Sequence, residues 1–258
     1  MLKRVALTAA AVATIGIGTY FARAEDKPAV SIKASVSAAE APKPDADGFI
    51  EMFNGKDLTG WSGYEGYWSA KDGAIVGSEE KAKSKHTFLV YTAIPTIGDF
   101  EMHYKYKFGT PTGNSGLQFR SKIYNEKNFS VGGYQADCDG GKGYDGTIYD
   151  EHGIAGGRGT MSGRGQKVTW DAENKRHNEP LPETDAQLKG FVKLGDWNDV
   201  VLVADGPHMT YTINGHLMTD LTDNSPKEVK EGVIALQIHG GFTMDILFKD
   251  LKIKLLKK

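Results

Sequence analysis

The chain has 258 residues, with 31 Lys and Arg against 33 Asp and Glu and a formal charge of −2. That near balance excludes a strongly basic nucleic-acid surface. A single cysteine, Cys138, excludes an internal disulfide.

The first 24 residues read as an export signal. Lys3 and Arg4 form a charged start, Val5 to Phe21 an apolar stretch, and Ala22-Arg23-Ala24 a small-residue cleavage site. An uncleaved anchor is the rival reading, because a spanning helix needs at least about 17 apolar residues. The cleavage motif favours removal. The expectation is an exported protein, periplasmic or extracellular, with no stable membrane insertion after cleavage. Residues 25–47 are rich in Ala, Ser, Lys and Pro and read as a disordered linker. Residues 48–258 are ample for one folded domain.

That domain reads as all-β. Short alternating segments are separated by turn residues, and 32 glycines punctuate the chain. A first strand is expected over 49–53. Asp72-Gly73 then makes a hairpin turn between Trp68 and Ala74-Ile75-Val76. Another short strand covers 88–91. Residues 100–108 alternate most clearly, with Phe100, Met102, Tyr104, Tyr106 and Phe108 on one face and Glu101, His103, Lys105 and Lys107 on the other. Strands follow at 115–121, 131–138 and 146–150. Residues 151–192 break the rhythm and read as a long excursion over one end of a groove. Strands at 197–204 and 208–213 are joined by Asp205-Gly206-Pro207, and Asn214-Gly215 turns the chain into 216–218. Segments 233–239 and 243–256 close the domain. Cys138 alternates with Tyr134 and Ala136 and is expected in the core as a small hydrophobe.

Three segments place polar side chains beside an apolar face: Asn114 to Arg120, Gly133 to Asp137 and Ile234 to His239. Together they can line one polar groove. Such a groove suits a sugar or another small polar ligand.

These motifs resemble a known family in order. Phe53-Asn54-Gly55-Lys56-Asp57-Leu58-Thr59-Gly60-Trp61 is similar to the opening signature of the 3-keto-disaccharide hydrolase domain family. Gly98-Asp99-Phe100-Glu101, Asn114-Ser115-Gly116 with Arg120, Gly133 to Asp137, Gly146 to Glu151, Trp197-Asn198, Ile213-Asn214-Gly215 and Ala235 to His239 follow. The resemblance covers roughly 48–256. It implies a concanavalin A-like jelly roll of two antiparallel sheets. It also implies an exported hydrolase that cleaves glycosidic bonds of 3-keto-disaccharides, by elimination and hydration. A non-catalytic, lectin-like carbohydrate-binding module is the alternative.

The elimination needs a base, an electrophile at the ketone and an acid for the leaving group. Asp137 or His239 is the candidate base, Arg120 the electrophile or sugar clamp, and Glu101 or Tyr149 the acid. Gln118, Gln135 and Gln237 can both donate to and accept from hydroxyls. His103 is a further polar candidate, and Trp170 a candidate sugar platform. Each has a plainer reading: Arg120 as half of an ion pair with Asp137 or Glu101, the glutamines as an inter-strand ladder, Tyr149 and Trp170 as packing. Trp61 and Trp197 read as core. No cofactor is certain. A divalent cation is the alternative electrophile, although no standard zinc motif is present. The expected partner is a carbohydrate substrate, not nucleic acid.

Overall fold

The computed structural model describes residues 43–64, 66–79, 86–126 and 129–256. The signal read over 1–24 and the linker up to residue 42 lie outside the described residues. Residues 43–47 are exposed and carry no strand. Among the described residues, no helix is long and apolar enough to cross a membrane.

The described elements are, in chain order, β1 (Ile50–Glu51), β2 (Trp61–Gly63), β3 (Trp68–Lys71), β4 (Ala74–Glu79), β5 (Thr87–Tyr91) and β6 (Phe100–Phe108). Then come β7 (Asn114–Asn125), β8 (Ser130–Asp139), β9 (Ile148–Glu151), β10 (Thr160–Ser162), β11 (Gln166–Trp170) and β12 (Arg176–Pro180). A short helix α1 (Asp185–Phe191) precedes β13 (Asn198–Asp205), β14 (His208–Ile213), β15 (His216–Asp223), β16 (Val233–Ile238) and β17 (Met244–Leu255).

Two sheets form a sandwich. One runs β12-β11-β15-β14-β13-β6-β17-β4-β3, with β1 added on β17. The other runs β10-β9-β8-β7-β16-β5-β2. Nearly every pairing is antiparallel; β11 and β15 pair in parallel. The all-β sandwich is the one expected from the alternation, and the jelly roll the one that the family resemblance implies. Turn chemistry explains the hairpins: Asp72 and Gly73 both take positive φ (52° and 75°), as do Asn214 and Gly215 (51° and 83°). A two-residue loop of that hand matches strand twist.

The core lies between the sheets. From β6 it takes Phe100, Met102, Tyr104, Tyr106 and Phe108, and from the second sheet Leu117, Phe119, Tyr134, Ala136, Leu236 and Ile238. Each large apolar side chain buried there contributes about 1.5–3 kcal/mol. Trp61 is fully buried, and its Nε1 donates to the Met52 carbonyl at 2.7 Å. Cys138 is buried in the same core, where desolvation pushes its thiol pKa up.

Two expectations are corrected, and one strand is added. Segment 151–192 is not an irregular excursion, because it holds β10, β11, β12 and α1. Its strands are short and polar, and β12 is exposed throughout, so no alternation marks them. The helix start is legible afterwards: Thr184 and Gln187 form a reciprocal capping box. Strand β2, missed in the sequence, is only three residues long. Trp197 is not core. It lies half-buried on the outer face of the first sheet, with Lys249 Nζ 4.2 Å and Lys107 Nζ 5.0 Å from its ring.

Candidate functional site

On β7, β8 and β16 every second residue faces away from the core, so the polar rows gather on the outer face of the seven-stranded sheet. Register aligns them. Gln118 lies opposite Gln135, and Gly116 lies opposite Asp137 on one side and Gln237 on the other. Gln135 lies opposite Tyr149 on β9. The period of two then brings Glu151 to the same face as Tyr149.

A groove of about 570 Å³ opens above these rows. His86, Asn114, Gln135, Asp137 and Glu151 line its interior, with Tyr144, Tyr149, His152, His239 and Phe242 around them. Tyr144, Tyr149 and Phe242 are exposed. Asp139 holds the adjoining loop: its carboxylate accepts from the backbone N–H groups of Gly141, Gly143 and Tyr144 at 2.7–2.9 Å. A second concavity, about 750 Å³, lies around Lys122, Lys227 and Val233. It is larger, but no histidine lines it, and the chemistry points to the first.

Five titratable groups of the groove, His86, His152, Glu151, Asp137 and Tyr149, are displaced from their ordinary ranges. Burial, with the neighbouring His239 and His152, lowers His86 to about 4, so its ring is neutral near pH 7. The His86 and His239 ring centroids are 4.0 Å apart. Burial raises Glu151 to about 7, against a hydrogen bond from Gln237 that lowers it. Glu151 Oε1 stands 3.2 Å from His152 Nε2 and 3.8 Å from His86 Nδ1. His239 Nδ1 meets the Gly240 carbonyl at 2.7 Å. A carbonyl only accepts, so Nδ1 carries the proton and the neutral ring keeps its lone pair on Nε2.

Asp137 is buried, and desolvation pushes its carboxyl well above the usual range. Hydrogen bonds from Gln135 and Thr147 work against that rise. Thr147 has one hydroxyl proton, and the Tyr144 carbonyl accepts it at 2.9 Å. The same hydroxyl is 3.3 Å from Asp137 Oδ2, a second acceptor for that proton. Burial therefore works against an ionised Asp137, the form a base would need.

The sequence candidates divide. Asp137, His239, Tyr149 and Gln135 line the groove, and Gln118 and Gln237 lie buried beneath it, bonded to Gln135. Arg120 does not join them. A bulge after Phe119 and a positive φ of 45° at Arg120 turn its side chain away. Its fully buried guanidinium donates to Asp99 Oδ1 and the Gly206 carbonyl at 2.7 Å each, and to the Gly98 carbonyl at 3.1 Å. It ties two loops together and has no path to a ligand in the groove. Its ion partner is Asp99, neither Asp137 nor Glu101.

Glu101 and His103 pair at 2.6 Å on β6, facing away from the core on the other sheet. The sandwich separates them from the groove. Trp170 offers no free platform: its Nε1 donates to the Met161 carbonyl at 3.1 Å, and Arg158 covers its ring at 4.8 Å.

Glu151, His86, His152, Asn114, Tyr144 and Phe242 were missed as site residues. Glu151 was within reach, because Tyr149 and Glu151 share one face of a predicted strand. His86 has no such signal, since it precedes β5 and enters the groove from the strand's end. Among the described residues, no group of three or more His, Cys, Asp or Glu is placed to hold a metal ion.

Comparison with solved structures supports the fold. A candidate glycosyl hydrolase from Parabacteroides distasonis ATCC 8503 is 20% identical with a TM-score of 0.52, covering 82% of this chain and 95% of that one. A second candidate glycosyl hydrolase from the same organism is 21% identical (TM-score 0.49; 84% and 90% covered). The carbohydrate-binding module CBM66 from Bacillus subtilis is 16% identical (TM-score 0.49; 75% and 94% covered). No curated protein sequence matches the chain. Residues 48–254 match the 3-keto-alpha-glucoside-1,2-lyase-like domain, and the chain belongs to that family.

Proposed function

We propose that the groove binds a glycoside oxidised at C3 and cleaves its glycosidic bond by elimination followed by hydration. The ketone acidifies the C2 hydrogen. His239 Nε2 removes that proton, and the electron pair passes to the ketone oxygen as an enolate. The neutral His86 ring and nearby amides stabilise the charge there. Collapse of the enolate forms the C1–C2 double bond and breaks the bond from C1 to the glycosidic oxygen. Glu151 in its acid form protonates the departing oxygen. Water then adds across the enone, its oxygen to C1 and a proton to C2, so the net change is hydrolysis. Asn114 and Tyr149 hold sugar hydroxyls. The export read from residues 1–24 belongs to the same proposal and sets the chemistry outside the cytoplasm.

One observation carries this reading: a carboxyl raised to about 7 meets the neutral His86 ring, with the His239 ring 4.0 Å from it, inside one groove. Perturbed groups of that kind suit proton transfer near neutral pH. The exposed aromatic rim of Tyr144, Tyr149 and Phe242 favours the second reading, a non-catalytic carbohydrate-binding module.

Incubation with a 3-keto-disaccharide and with its unoxidised parent separates the two. Monosaccharide release from the oxidised sugar alone, with a transient enone absorbance, is the expected result. Binding by calorimetry without release from either sugar defeats the enzyme reading.

A further inference from the structure

Three buried amides beneath the groove are connected in a fixed direction. Gln118 Nε2 donates to Gln135 Oε1. Gln135 Nε2 donates to Asp137 Oδ1 and, at 3.0 Å, to Gln237 Oε1. Gln237 Nε2 is then the only end of that amide left to face His86 Nδ1, 3.3 Å away. The direction is set at Asp137. Its Oδ1 accepts whether the carboxyl is ionised or holds its proton on Oδ2 toward Thr147.

The connection crosses a strand. Gln135 is on β8 and Gln237 on β16, with β7 between them. Gly116 of β7 is the crossing point. A Cβ there would lie 2.6 Å from Gln135 Cγ and 2.8 Å from its Nε2. Absence of that carbon lets the Gln135 amide lie over the strand.

We propose that Gln135 and Gln237, passing over Gly116, form a positioning relay that holds His86 as its Nε2–H tautomer. An amide N–H pointing at Nδ1 forbids a proton there. The relay works against a competitor, because Glu151 Oε1 is 3.8 Å from the same nitrogen and would draw the proton to Nδ1. With Nδ1 occupied as an acceptor, the ring proton sits on Nε2. His86 thereby presents one donor of fixed identity beside His239, whose Nε2 keeps a lone pair. Two adjacent imidazoles in opposite tautomers give an electrophile and a base without a net charge. This deepens the proposed elimination and rests on it for the role of His86, but the tautomer itself does not.

Two variants test the relay. Gly116→Ala displaces the flexible Gln135 amide and keeps every polar group. Gln237→Leu removes the donor to His86. Two-bond proton–nitrogen correlation spectra of the full-length protein at pH 7 report which ring nitrogen carries the proton. The wild type is expected to show His86 as Nε2–H, and both variants a shift toward Nδ1–H. kcat on a 3-keto-disaccharide is expected to fall about tenfold or more, with a smaller change in KM. Wild-type His86 protonated on Nδ1, or an unchanged tautomer in both folded variants, overturns the proposal. A wild type with Nε2–H and no turnover of any 3-keto-sugar refutes the elimination and leaves the relay in place.

Discussion

Replacing Glu151 by Gln separates stability from catalysis in a way the groove makes quantitative. The carboxyl is held at about 7, against an ordinary value of 4.5, chiefly because it is buried. Its side chain is only 10% exposed, so solvent screening is slight. Each tenfold change in proton affinity corresponds to about 1.4 kcal/mol, so ionised Glu151 costs the folded state on the order of 3 kcal/mol. The sign follows from proton counting. Between pH 4.5 and 7 the folded protein holds a proton that the unfolded chain has released, and stability falls as pH rises through that window. Glu151→Gln keeps the shape and removes the ionisation. Its stability gain should be near zero at pH 4.5 and should approach about 3 kcal/mol at pH 8. Urea unfolding of both proteins at half-unit steps from pH 5 to 8 measures it, with His86 neutral across the range. Turnover of a 3-keto-disaccharide should be lost in the same variant. A difference that stays flat with pH, within about 0.5 kcal/mol, refutes the reasoning from burial.

Two further outcomes are expected. Arg120→Met leaves Asp99 nearly buried beside an apolar chain, with side-chain exposures of 0% and 7% for the native pair. Denaturant titration should show a loss of about 3–5 kcal/mol, while kcat per folded molecule persists; a stable variant without turnover would return Arg120 to the chemistry. Tyr144→Ala removes a ring that is 58% exposed at the groove rim. KM should rise roughly fivefold with kcat unchanged, the value of one stacking contact. Stability within about 0.5 kcal/mol of wild type would show that the ring serves the ligand and not the fold.

Periodicity found four of the ten residues that line the groove, Gln135, Asp137, Tyr149 and His239. The strand over 100–108 has the same bounds in the sequence reading and in the structure, because its apolar residues alternate without interruption. The glutamine rows were legible for the same reason. Arg120 was misplaced because one extra residue in a bulge reverses every direction after it, and a bulge leaves no compositional mark. Glu101 and Gln118 have the same pattern on paper. Alternation separates two faces but does not say to which sheet a strand belongs. Proton positions were beyond reach altogether. The upward shift of Asp137, set by burial against the hydrogen bonds from Gln135 and Thr147, shows only once the strands are assembled.

Strand β12 has a consequence for how molecules meet. It forms one border of the ten-stranded sheet, and all five of its residues, Arg176-His177-Asn178-Glu179-Pro180, are exposed. Charges of both signs and a terminal proline make a poor template for a neighbour's backbone. Behind it, β11 covers β15 in parallel register from Gln166 to Trp170. Excising the β11–β12 hairpin would uncover the ladder of β15 and its buried Met218 and Leu221. The segment that lacks alternation is therefore the guard against intermolecular strand addition, and its loss should show as self-association in sedimentation.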